Sequence, residues 1–494
     1  MVANTSPAVN QLLEQPSSTF IAPLSNPTLD PTQPGMDTSK PREHIVQTGD
    51  TLYGISLLYN VSLDELLKNN ELPNPNILSV GQVIKLPDIP NEQTLSFKII
   101  PDSRLVRAPG SINFDVALFI SQQGGYIRQA ADTVPTNLAT GFVYEETLTA
   151  AQIVGRISTE YSVDARLLLA LLEYRAGWLT NPNLSDELKT NPLISTEASG
   201  DIDRSGLYKQ LAWAANELNR GYYGWKNRGL NTLVFEDGTS LRFAPGLNAG
   251  TVGVQRLLSL NNSLSSWAAQ VDVNGFYQTY AAYFGDPFIG AVEPLVPPTV
   301  QPPAMTFPFA SGETWFFTGG PHGGWGSGSA WAAVDFAPPD ELGESAPLCY
   351  TSDYWVRAVA PGVIVRSDKG AVVQDLDGDG DETTGWTILY LHLATEGRIE
   401  TGKVVNPGDP IGHPSCEGGF SSATHMHIAR RYNGEWIPAY CDQCLADQPR
   451  PPLIMNGWAV IGYTGQEYQG YMDNNGDRRI AEQGRLTPDN RVTW

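Results

Sequence analysis

Five of the six histidines in this 494-residue chain fall between residues 322 and 427. They are His322 in GGPHGGW, His392 in ILYLHLA, His413 in IGHPSC, and His425 and His427 in SSATHMHIARR. Whatever the C-terminal third folds into has to accommodate this cluster. In a strand, alternate side chains face one side, so His425 and His427 can share a site with Met426 turned away. The competing reading is a pair that only decorates a strand. Asp335 sits in the apolar run AlaAlaValAspPhe, where an unpaired carboxylate is costly and needs a cation or hydrogen bonds. Imidazole nitrogens and a carboxylate oxygen are the ligands of catalytic zinc sites, which keep an open position for water.

The chain is too long for one hydrophobic core, and about three units are expected. Residues 1–42, rich in Pro, Ser, Thr and Asn, read as a flexible leader. A Pro-rich stretch, 293–308, reads as a semi-rigid extended linker. Between them, 43–88 reads as a compact βααβ unit and 95–292 as a helical domain, with 309–494 as the histidine-bearing domain. In the middle region the clearest helices are expected from Thr147 and over Val163–Trp178, where apolar residues recur at three and four.

A formal charge of −22 argues against a nucleic-acid partner, because phosphate backbones are bound by clusters of Lys and Arg. It suits a soluble extracellular protein. No apolar run approaches the roughly 20 residues that cross a bilayer, so no transmembrane segment is expected. The first 40 residues also lack the pattern of a secretory signal. The four cysteines, Cys349, Cys416, Cys441 and Cys444, suit disulfides in an oxidising compartment, with metal binding as the alternative. Of three possible connectivities, Cys349 with Cys416 and Cys441 with Cys444 is the expected one.

In the βααβ unit, Asp50 or Thr51 can cap the first helix and Ser62 the second, with Glu65 completing a capping box. The whole stretch HIVQTGDTLYGISLLYNVSLDELLKNNELPNPNILSVGQVIKLP resembles a LysM module. The resemblance implies binding of N-acetylglucosamine-containing chains, here peptidoglycan, in a groove lined by Gly49, Asp50, Thr51, Leu52, Asn76, Ile77 and Leu78. For Leu52, Ile77 and Leu78 a core role is the alternative. In the middle domain, VDARLLLALLEYRAGWLTN resembles the catalytic helix of lytic transglycosylases, which implies a lysozyme-like scaffold. The position matching their glutamate is Arg175, which cannot donate a proton at neutral pH, and Glu173 lies on a different helix face. An unrelated helical domain is the other reading.

GPHGGW, SAWAAVDF, YLHL and SCEGGFSSATHMHIA, in this order, resemble the lysostaphin-type zinc peptidases, and within them the β-lytic and staphylolytic metalloendopeptidases. The resemblance implies antiparallel β-sheets with a groove over one of them, Zn2+ held by His322, Asp335 and His427, and His425 and His392 as the catalytic pair. His425 would be the general base and His392 the stabiliser of the oxyanion or the proton donor, although the roles could be exchanged. His413 has no counterpart and is expected to be structural. The Gly-rich run from Gly319 to Gly328 is expected to form a groove wall. The acidic run Asp375, Asp377, Asp379 and Asp381 follows the start of an EF-hand loop, but the glutamate expected at its twelfth position is Trp386. A Ca2+ site and a solvated hairpin turn both remain open. The fold expected is thus multidomain α+β, and the function a monomeric peptidoglycan endopeptidase of the cell envelope or exterior. The alternative is a catalytically silent glycan-binding protein that recruits another hydrolase.

Overall fold

The structure, a computed structural model, describes residues 43–46, 50–59, 61, 63–72, 74, 77–87, 92–200, 202–341, 346–445, 450–484 and 488–494. The expected leader, and the capping role of Ser62, lie outside these residues. The small unit runs β1 (Glu43–Ile45), α1 (Leu52–Tyr59), α2 (Leu63–Asn69) and β2 (Val83–Lys85), with β1 and β2 antiparallel. Its core is built from Val46, Leu52, Ile55, Leu66, Ile84 and Leu86.

After short helices at Asp102–Leu105 and Val116–Ser121, the middle region forms a hairpin, β3 (Ala131–Asn137) and β4 (Val143–Thr149). The helix expected from Thr147 starts later, as α3 (Ala150–Tyr161), because Thr149 and Gln152 close a capping box and leave Thr147 in the strand. Next comes α4 (Ala165–Ala176), which Asp164 caps at its start, with Gly177 in the left-handed region at its end. The long α5 (Leu207–Asn227) and α6 (Ala249–Ser259) pack against each other. Glu173 caps the loop after α4, accepting from the Leu179 and Thr180 amides and the Thr180 hydroxyl. That is a structural task rather than a catalytic one.

The C-terminal region is a nine-stranded antiparallel sheet. Its strands are β5 (Trp315–His322), β6 (Ala333–Ala337), β7 (Gly362–Asp368), β8 (Ala371–Asp375), β9 (Trp386–Leu391), β10 (Val404–Val405), β11 (Met426–Tyr432), β12 (Glu435–Trp436) and β13 (Arg491–Val492). They lie in the order β10-β7-β8-β9-β11-β6-β5-β13, with β12 paired to β11. A four-stranded sheet over Ile454–Met455, Trp458–Gly462, Gly470–Asn474 and Asp477–Ile480 adjoins it. Both expected disulfides, Cys349–Cys416 and Cys441–Cys444, are formed.

The central strands β8, β9 and β11 are buried on both faces. Alternate residues such as Val372, Ile388, Tyr390 and Ile428 enter a core belonging to the C-terminal region alone. Their neighbours Val373, Leu389, Leu391 and Ala429 enter one continuous core with α3 to α6. A strand buried on both sides reads as a continuous apolar run, as ILYL in β9 does. The segment 293–308 is therefore not a free spacer, since Leu295 and Val296 belong to the shared core, and Met305 and Phe307 to the other. Charged groups are buried at the same junction. Lys226 of α5 reaches Asp102 at 3.1 Å and Glu435 of β12 at 3.0 Å, and Arg450 reaches Glu435 at 2.8 Å. Among the described residues no helix is long and apolar enough to cross a membrane.

Candidate metal centre and catalytic groove

Asp335 on β6 lies opposite His427 on β11, and also opposite Gly319 on β5. Their neighbours Val334 and Phe336 point into the other core, so Asp335 and His427 rise from the face shared with the helices. Gly319 is required there, because a Cβ at that position would lie 2.4 Å from Asp335 Oδ2. The register of β5 slips between Phe317 and Gly319, and again before His322. These irregularities bring the last residue of the strand over the same spot.

Three atoms meet at this point. His322 Nε2 is 3.2 Å from Asp335 Oδ1, His427 Nδ1 is 3.3 Å from it, and the two nitrogens are 3.0 Å apart. The outer ring nitrogens face backbone carbonyls, His322 Nδ1 toward Gly320 at 2.8 Å and His427 Nε2 toward Gly324 at 3.2 Å. A carbonyl only accepts, so each outer nitrogen carries a proton, and in the neutral ring each inner nitrogen then presents a lone pair. Asp335 Oδ1 is buried without a hydrogen-bond partner. Three inward-facing lone-pair donors with no proton between them are short of a cation. Their spacing fits the ligand edges of a tetrahedral site with bonds of about 2.0–2.2 Å. The three residues thus fit a zinc ion, with backbone carbonyls orienting both rings as is usual for metal-bound histidine.

Burial by itself would raise the Asp335 pKa, but His322 and His425 beside it hold the carboxyl well below the usual range. Burial would lower His322, which Asp335 overrides, so that its pKa is raised. His427 is lowered, chiefly by burial. His392 lies at the end of β9, buried, and its pKa falls well below the ordinary value through burial and then the neighbouring His425 and His427. Its Nδ1 donates to the Glu417 carbonyl at 3.0 Å. His425 precedes β11 and donates from Nδ1 to the Ala423 carbonyl at 2.8 Å, leaving Nε2 3.7 Å from Asp335 Oδ1. The rings of His392 and His425 are 4.5 Å apart. His413 is elsewhere, packed on Trp355 with Nδ1 toward the Tyr354 carbonyl.

A cavity of about 1110 Å³ opens over all five groups. Gly323, Gly324 and Gly326 form part of its wall, as expected of the glycine run, whereas Gly319 and Gly320 belong to β5. Two contributions had no sequence signal. Tyr468 stacks on His322 with ring centroids 4.3 Å apart, and the helical region supplies Pro135, Asn137, Arg156, Tyr161 and Tyr208 to the same cavity. None of these stands near the histidines in sequence.

The remaining expectations divide. Asp375, Asp377 and Asp379 bring one oxygen each within 4.8 Å of the others. Asp381 stays outside that group, because its carboxylate takes the Thr383 amide and hydroxyl. The run forms the turn between β8 and β9, which favours the hairpin reading over the Ca2+ one. In the small unit, Leu52 is 3 % exposed and belongs to the core, so its side chain does not line a groove. The Asp50 carboxylate pairs with His44 at 2.8 Å. Ile77 is 67 % exposed, Thr51 is exposed and Leu78 is half-buried. Gly49 and Asn76 lie outside the described residues.

Comparison with known proteins finds two families along the chain. The LysM domain family matches residues 44–87, and the family described as LasA, N-terminal domain, matches residues 98–298. Protease LasA of Pseudomonas aeruginosa is 22% identical over 294 residues, 56% of this chain, and the match spans 65% of that protein's length. Among solved structures, the deep-sea M23 metalloprotease pseudoalterin is 24% identical, covering 36% of this chain and 95% of its own, with a TM-score of 0.28. The catalytic domain of lysostaphin from Staphylococcus simulans is 22% identical, covering 25% and 86%, with a TM-score of 0.18.

Proposed function

We propose that this chain, which joins a LysM module and a LasA-type N-terminal domain to a C-terminal region like that of the lysostaphin-type peptidases, is a secreted zinc-dependent peptidoglycan endopeptidase. The observation that carries the reading is the buried Asp335 Oδ1, which has no hydrogen-bond partner and faces two imidazole nitrogens at 3.2 and 3.3 Å. A zinc ion there would supply a more acidic water and a polarised scissile carbonyl. His322, Asp335 and His427 would hold it.

The chain's own part is proton handling and orientation. His392 is neutral at pH 7 and tied at Nδ1, so its Nε2 is a proton acceptor aimed at the groove. Of the two assignments the sequence left open, this favours His392 as the general base and His425 Nε2 as the group that delivers a proton to the leaving amine or stabilises the oxyanion. Tyr468, stacked on His322, packs against one face of that ring. The LysM module would raise the local concentration of wall peptides without adding contacts in the groove. A silent glycan-binding protein is the weaker reading, because all five positions are filled and converge.

The test is mass spectrometry of fragments released from purified peptidoglycan, with His425→Ala and chelator-treated protein as controls. New amino termini in peptide fragments, absent from both controls, support the proposal. Release of nothing from several wall types, by protein carrying one zinc, would sink it.

A further inference from the structure

His392 has a φ of +66°, a region that side-chain-bearing residues seldom occupy. Such a conformation persists only where the surroundings over-determine it. The ladder of β9 ends at Leu391, so the sheet itself does not fix the residue. Its flanks do. The Leu393 amide donates to the Gly370 carbonyl at 3.0 Å and the Ala394 amide to the His413 carbonyl at 2.9 Å. Facing them is the segment 415–417, where the Ser415 amide and hydroxyl donate to the His392 carbonyl at 2.7 and 3.1 Å. The Glu417 carbonyl takes the His392 Nδ1 proton at 3.0 Å.

Glu417 is engaged at both ends. Its carbonyl holds the His392 ring, while its carboxylate holds the chain that leaves His392. That carboxylate accepts from the Thr395 amide and hydroxyl, both at 2.7 Å, and from Arg398 Nη1 at 2.8 Å. The same Arg398 nitrogen donates to the Leu393 carbonyl at 2.9 Å. Charge-assisted hydrogen bonds are roughly twice as strong as neutral ones, and this ion pair is withdrawn from water, its side chains 9% and 8% exposed. Turning the ring away from the groove therefore requires the latch on 393–398 to yield as well.

The same segment meets the second histidine. Ser415 forms an antiparallel bridge with His425, and its hydroxyl oxygen accepts from the Glu417 amide at 3.0 Å. Cys416, between them, is bonded to Cys349. These contacts all lie within the C-terminal region. Among the described residues no hydrogen bond or ion pair joins Glu417 to His322, Asp335 or His427, so its hold is on the base and not on the residues that would bind zinc.

We propose that Glu417 is a positioning residue for His392, its buried carboxylate latching 393–398 so that the imidazole keeps Nε2 toward the groove. The kinetic consequence rests on the peptidase reading above, and the structural one on the geometry alone.

The test uses the full zinc-loaded chain. Glu417→Gln keeps the shape and removes the charge that Arg398 meets. Arg398→Ala removes the cation, and Arg398→Lys returns it. Misplacing a catalytic group by a fraction of its reach costs rate rather than binding, so Glu417→Gln and Arg398→Ala are expected to lower kcat roughly 10–100-fold on a soluble glycine-containing peptide. KM should stay within about twofold and zinc content should be unchanged, with Arg398→Lys recovering part of the loss. Imidazole NMR needs no turnover, and in Glu417→Gln the His392 ring signals should shift or double while those of His322 and His427 stay in place. Unchanged His392 signals overturn the proposal. So does an equal shift of all three rings, which would report general loosening, or a rise in KM alone, which would make Glu417 a substrate contact. If Glu417→Gln does not fold, the two Arg398 variants carry the same comparison. A wild-type chain that binds zinc and cuts nothing fails the peptidase reading, while the His392 signals still decide the positioning.

Discussion

Replacing Glu382 with Gln tests whether the helical and C-terminal regions are one folding unit. Glu382 lies in the turn between β8 and β9 and receives Arg107 of the middle region at 3.0 Å, Arg431 of β11 at 3.1 Å and Arg366 of β7 at 3.3 Å. Burial would raise its pKa, but the three guanidiniums bring it down from 4.5 to about 2. That displacement corresponds to about 3 kcal/mol of folding stability at neutral pH. The partners do not gain equally. Arg366 is raised by the pairing, whereas burial outweighs it for Arg431, which falls to about 10. The cluster as a whole therefore adds less than the carboxylate alone suggests, while breaking it leaves Arg431 buried and uncompensated. Breaking a buried pair costs about 3–5 kcal/mol, and that is the destabilisation expected for Glu382→Gln at pH 7.

Because the folded pKa is depressed, this contribution is present above about pH 4.5 and lost as pH falls toward 2. Urea unfolding followed by tryptophan fluorescence at fixed zinc should show wild type and variant well separated at pH 7 and nearly together at pH 2.5. The loss should also appear as one transition, since Arg107 belongs to the other region. A difference under about 1 kcal/mol at pH 7, or a gap that persists in acid, would refute the reasoning.

Asp335→Asn should leave the fold intact and reduce bound zinc, measured by elemental analysis, to well under half an equivalent, because the charged ligand is gone. Gly319→Ala should do nearly as much damage without touching a ligand, since its Cβ would displace the Asp335 carboxylate, and normal zinc content would contradict the geometry. His392→Ala should retain zinc and lower kcat by roughly 10²–10⁴-fold on a soluble glycine-containing peptide. Deleting residues 1–90 should weaken sedimentation with purified walls while leaving cleavage of that peptide within about twofold.

The LysM module was legible from local spacing, whereas the five positions that the structure gathers at one cavity were legible through the family resemblance of the motifs around them. The βααβ order follows from caps and short apolar runs within one stretch, and the His-x-His pair follows from the period of a strand. The acidic turn was legible only in part, as the sequence left calcium and a hairpin open and could not show that Asp381 turns to Thr383. Leu52 was ambiguous for a related reason, since a leucine beside a groove and a leucine under it look alike in sequence.

Sequence alone singled out the residues proposed to hold a metal and move a proton, through the flanking motifs that carry the family resemblance and the chemistry of imidazole and carboxylate. It also determined the disulfide-bearing C-terminal region and the separate small module. Only the tertiary structure decided that Gly319 makes room for Asp335, that Tyr468 packs on His322, and that Glu417, 25 residues beyond His392, holds its ring at Nδ1. Read as a semi-rigid linker, 293–308 separated the middle region from the C-terminal third. The buried face of β8, β9 and β11 joined them, because an apolar strand must be covered on both sides and which element covers it is a long-range choice that no local pattern encodes.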